Sequence, residues 1–85
     1  MEKVVIEVCC GSVDDVVRAA GAGADRVELN SALFVGGLTP SVGALLEAKA
    51  RVGIPVISMI RPRAGGFCYT DLEFKTMLRD TRELA

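Results

Sequence analysis

"VVIEVCCGSVDDVVRAAGAGADRVELN", residues 4–30, holds a whole structural unit. Its first seven residues, rich in β-branched side chains, read as a short buried strand. Ser12 followed three positions later by Asp15 resembles a capping box, and Val13, Val16, Val17 and Ala20 recur at helical spacing. "GAGAD" then stops the helix, and "RVELN", residues 26–30, reads as a second strand. A strand, a helix and a strand in that order describe two parallel strands joined by a right-handed crossover.

The same alternation continues outward. After Gly36 and Gly37, Thr39 is expected to cap a helix whose first position is Pro40, with Val42, Leu45 and Leu46 on its apolar face. "IPVISMI", residues 54–60, reads as a third strand. Thr70 and Glu73 form a second capping box, opening a helix with Leu72, Met77 and Leu78 turned inward. The fold class is therefore α/β, with residues 1–85 forming a single partial domain. Three parallel strands leave two open edges, and a (β/α)8 TIM-type barrel takes about 250 residues. The chain reads as the first three βα units of such a barrel, and its exposed edges make a homo-oligomer or association with a complementary piece possible partnerships.

Composition narrows the function. With 10 basic and 11 acidic residues, the formal charge of −1 offers no footprint for nucleic acid or an anionic membrane. No apolar run approaches the roughly 20 residues of a membrane span, and the opening is too short for a secretory signal. Three cysteines, Cys9, Cys10 and Cys68, are too few for a disulfide framework and fit a reducing, cytoplasmic compartment. The absence of histidine removes Ser-His-Asp and Cys-His nucleophile systems from this segment.

Charged residues inside the apolar strands mark candidate sites. Glu7 and Glu28 sit one in each of the first two strands, and Arg61 ends the third. With all three pointing inward on strands about 4.8 Å apart, they are expected to meet in one charged cluster at the barrel mouth. Two readings are open: an ion-pair network that satisfies its own members, or a ligand site. In the second, Arg61, Arg63 and the backbone around Gly65 and Gly66 hold an anionic small molecule, Tyr69 stacks on it, and Glu7 or Glu28 moves protons as acid or base. That reading describes a TIM-barrel enzyme of unknown reaction.

The segments "IEVCC", "GADRVELN", "GGLTPS" and "MIRPRAGGFCYTD", in this order and spacing, resemble the amino-terminal third of the CutC-type copper homeostasis proteins. The likeness spans nearly the whole chain. It implies a single-domain (β/α)8 barrel with about five βα units beyond these, and a protein that binds or buffers copper in the cytoplasm. It also implies Cu(I) ligation by cysteines at the ends of the first two strands. Cys9 matches the first, whereas the second position is Asn30, whose hard amide oxygen suits a soft ion poorly. Neighbouring side chains of a strand face opposite ways, so Cys9 pairs more readily with Cys68, joined by Met59, than with Cys10. A third outcome is a fragment with no activity of its own.

Overall fold

The structure is a computed structural model and describes residues 3–85. Its elements follow the expected order: β1 (Glu7–Cys10), α1 (Val13–Gly21), β2 (Arg26–Leu29), a short 3-10 turn (Leu33–Val35), α2 (Val42–Arg51), β3 (Val56–Ser58) and α3 (Asp71–Leu84). The three strands form one parallel sheet in the order β1-β2-β3, with Cys9 opposite Glu28 and Glu28 opposite Ile57. Among the described residues, no helix is long and apolar enough to cross a membrane.

Period-two alternation divides the sheet into two unlike faces. Cys10, Val27 and Leu29 point toward the helices, where they are buried with Val16, Leu45 and Ala48. Glu7, Cys9, Arg26, Glu28 and Ile57 point the other way, and only Glu28 among them is half-buried. The helix-covered face is the core. The opposite face is the one a barrel turns toward its axis.

Helix starts follow local chemistry. Ser12 Oγ accepts the N–H of Asp15 at 3.1 Å, and the Asp15 carboxylate reaches back to the N–H of Gly11 rather than to that of the cap. Thr70 and Glu73 make the full reciprocal box, with bonds of 3.1 and 2.9 Å. The start of α2 differs from expectation: Ser41, not Thr39, is its cap, accepting from Ala44 N at 3.0 Å, and Val42 rather than Pro40 opens the helix. Thr39 is occupied elsewhere. Its hydroxyl accepts the N–H of Arg61 at 2.8 Å and donates to the Arg61 carbonyl at 3.0 Å, stitching the loop after β2 to the end of β3.

Regular strand is also shorter than the apolar runs. Val4–Ile6 lie outside β1 because β2 begins only at Arg26; the Asp25 carboxylate takes the Ile6 N–H at 2.8 Å instead. In α3, Leu72 is 74% exposed and Leu78 43% exposed, contrary to the inward expectation. The stripe that faces the chain is Glu73, Met77, Asp80 and Leu84, of which only Leu84 is buried. α3 lies at the end of the layer and has a neighbour on one flank only.

Gly36 and Gly37 carry φ values of 94° and 95°, in the left-handed region that side chains resist. A Cβ on Gly37 would also drive into Asn30 Oδ1. Gly37→Ala is expected to destabilise the chain by about 1–3 kcal/mol in chemical denaturation. Gly43→Ala, inside α2 with only Ser41 Oγ near at 3.9 Å, should stabilise by about 0.5–1 kcal/mol.

Candidate functional site

Going up the strands, the axis-facing side chains form successive rows. In the lowest row Glu7 and Arg26 are direct partners across β1 and β2, with Arg26 Nε 2.6 Å from Glu7 Oε1. The next row holds Cys9, Glu28 and Ile57. Asn30 and Met59 follow by alternation, and Arg61 stands above them. The expected cluster of Glu7, Glu28 and Arg61 therefore does not form. The register places the three residues on different rows, and Glu7 is neutralised by Arg26 before Arg61 comes within reach.

Arg61 instead occupies a cage of main-chain carbonyls. Its Nη1 donates to Val35 O at 2.9 Å and Gly37 O at 3.1 Å, its Nη2 donates to Gly65 O at 2.9 Å, and the Phe67 ring lies 5.1 Å away. Nε is buried with no partner. The left-handed turn through Gly36 and Gly37 aims the two loop carbonyls, and a Cβ on Gly36 would come within 2.9 Å of Nη1. The side chain ties the loop after β2 to the loop after β3.

Arg63 is used up completely. Its five N–H groups donate to both Glu73 oxygens and to the carbonyls of Ala64, Gly66 and Cys68, while the guanidinium lies 5.0 Å from the Tyr69 ring centroid. Among the described residues, the anion paired with Arg63 is the chain's own Glu73. Gly65 and Gly66 turn their carbonyls to the two guanidinium groups, so the glycine loop wraps cations. The Arg63 contact and the Thr70 N–H hold the Glu73 carboxyl below the usual carboxylate range. Glu73 stands out in the sequence only as a capping-box residue. Its bond to Arg63 spans ten positions and carries no local pattern.

The remaining reactive pair is Cys9 with Glu28. Cys9 is exposed on the axis-facing side, its Sγ 3.8 Å from Glu28 Oε1. The charge of Glu28, then partial burial, then the hydrogen bond itself, push the thiol above its ordinary range, with a smaller contribution from Glu7. Asn30, 3% exposed, donates its amide nitrogen to the same Glu28 oxygen at 3.1 Å and to two main-chain carbonyls. Its Oδ1 has no partner and rests against Gly37. Asn30 therefore turns N–H toward the Cys9–Glu28 pair. Cys10 is buried on the helix side, and Cys68 is exposed in the loop after β3, with its carbonyl held by Arg63. Among the described residues, no three His, Cys, Asp or Glu side chains gather as a metal cluster.

Comparison with known proteins adds the family. The CutC family profile matches residues 4–85. A CutC family protein of Treponema denticola is 52% identical over 82 residues, covering 96% of this chain and 33% of its own length. One from Erwinia tasmaniensis is 55% identical over 75 residues, covering 88% and 30%. A crystal structure of CutC from Streptococcus agalactiae, a protein named for copper homeostasis, superposes with a TM-score of 0.88 at 41% identity. That match covers 96% of this chain and 40% of the other. The chain thus spans about a third of the length of the curated relatives it matches.

Two outcomes follow from the geometry. The pH profile of Cys9 alkylation, followed by peptide mass mapping, should have its midpoint above the ordinary thiol range, and Glu28→Gln should move it down. An unmoved midpoint contradicts the pairing. Tyr69 is the single tyrosine and there is no tryptophan, so intrinsic fluorescence reads the Arg63 loop directly. Because the folded Glu73 pKa is lowered, its contribution is present above the unfolded carboxyl pKa and is lost as pH falls through the folded value. Tyr69 emission should change on the acid side of the usual carboxylate range, and Glu73→Gln should abolish that step.

Proposed function

Because this chain belongs to the CutC family, we propose that it acts in copper homeostasis as the first three βα units of a barrel, binding Cu(I) through Cys9. The observation that carries this reading is the exposed Cys9 thiol on the axis-facing side, in register with Glu28. Thiolate sulfur is a favoured donor for Cu(I). Copper is cargo here. The cytoplasm, where free thiols persist, is the compartment that suits it.

The Cys9–Glu28 pair sets how the ion is taken up. With no ion bound, Glu28 keeps the thiol protonated. An arriving cation displaces that proton to solvent, forms the sulfur–metal bond, and cancels the repulsion between thiolate and carboxylate. Glu28 supplies negative charge next to the ion. Asn30 presents N–H on that side, so the second soft donor comes from Cys68 or Met59. Uptake is coupled to release of the Cys9 proton, and of a second proton where Cys68 is the other donor, so affinity rises with pH while the thiols remain protonated.

The test replaces the matched region of the Streptococcus agalactiae protein with this chain and titrates Cu(I) against a competing chelator. Retained copper is expected to gain about tenfold in affinity per pH unit below the thiol pKa with Cys9 and Met59 as donors, and about a hundredfold with Cys9 and Cys68. Joint Cys9→Ser and Cys68→Ser replacement should abolish retention. Unchanged stoichiometry in that variant refutes Cys9 as the ligand.

A further inference from the structure

The half-buried guanidinium of Arg61 has no counter-ion among the described residues. Arg26 in β2 is paired with Glu7, and Arg63 beyond β3 with Glu73. Arg61 bonds instead to the neutral carbonyls of Val35, Gly37 and Gly65. Those bonds leave one N–H on Nη2 unspent, and Nε–H is buried without an acceptor. Glu28, two rows lower on the same face, is held by Asn30 and Cys9. A charge drawn out of water calls for an opposite charge. A cation caged by carbonyls alone, with a donor to spare, is a receptor for an anion.

A second orphan stands beside the first. Among the described residues, the buried side-chain polar atoms without a partner are Arg61 Nε and Asn30 Oδ1. The Arg61 guanidinium lies against Gly36 and Asn30 Oδ1 against Gly37. The side chain that lacks an acceptor and the side chain that lacks a donor therefore meet one turn at consecutive residues. A single molecule satisfies both when it carries an anionic oxygen and a hydroxyl. We propose that this turn covers a binding site for a small hydroxylated oxyanion, a hydroxy carboxylate or hydrogen phosphate, whose oxygens accept from Arg61 and whose hydroxyl donates to Asn30 Oδ1. The planar fork of a guanidinium matches carboxylate and phosphate oxygens alike. The ligand enters as the turn draws back: Val35 O and Gly37 O are neutral acceptors, and a charged oxygen bonds a guanidinium more strongly. This inference does not depend on copper, and its readout contains no metal.

The experiment uses the Streptococcus agalactiae protein carrying this chain in place of its matched region, free of metal. Lactate, propionate, phosphate and sulfate are each titrated at neutral pH while the Arg61 Nε–H resonance is followed by NMR. Lactate or phosphate is expected to move that resonance saturably and to bind about tenfold or more tighter than its counterpart without a hydroxyl, propionate or sulfate respectively. Arg61→Gln should abolish binding, whereas Arg18→Gln, which removes the same charge from an exposed position on α1, should leave it unchanged. The proposal is overturned if neither lactate nor phosphate gives a saturable shift, if propionate and sulfate bind as tightly as their counterparts, or if Arg18→Gln weakens binding as much as Arg61→Gln. Should Arg61→Gln fail to fold, the unaltered protein decides. The ligand must then shift Arg61 Nε–H and leave the Arg63 Nε–H, already bonded to Glu73, in place; equal shifts overturn the proposal.

Discussion

A guanidinium keeps its charge wherever the chain places it, so every arginine drawn into a structure must find acceptors. The upper end of this sheet is built on that constraint. Arg61 recruits carbonyls from two different loops, and Arg63 closes the second loop on itself through Glu73 and three more carbonyls. The consecutive glycines at 36 and 37 exist for the same reason. Only a chain without side chains there can turn its carbonyls to Arg61 while leaving room for Asn30. Loops without regular structure thereby acquire a defined shape above the strands.

Among the described strand residues, that organisation leaves one pair open. Glu7 is spent on Arg26, Glu73 on Arg63, and Arg61 on carbonyls. Cys9 and Glu28 remain, touching each other on the bare face of the sheet. A thiol beside a carboxylate is a poor nucleophile, because the neighbouring charge keeps its proton on. Under the proposed function, the same arrangement favours a cation that replaces the proton.

The two faces of the sheet also divide the labour of the fold. One is closed by α1 and α2 and supplies the buried apolar contacts; among the described residues the other face and the outer edges of β1 and β3 have no partner. Parallel sheets are usually covered on both faces, and here no described element covers the second. The candidate residues Cys9 and Glu28 stand on the uncovered side, the side a barrel turns toward its axis.

The order of strands and helices, two caps, and the placing of Glu28 and Cys9 on one strand face or another were legible in the sequence. Those features depend on local spacing: period two in a strand, 3.6 in a helix, and three residues from a cap to its partner. The expected Glu7–Glu28–Arg61 cluster failed because strand register, set by where β2 starts relative to β1, is a relation between segments and leaves no mark in either one. Thr39 likewise looked like a cap because its position before Pro40 fits one, yet its hydroxyl found Arg61, 22 residues later. The chain by itself determined an α/β repeat with charged residues near its strand ends. Tertiary structure alone decided which charge each one meets, because partner choice depends on distances across the sheet and between loops, while the sequence records only distances along the chain.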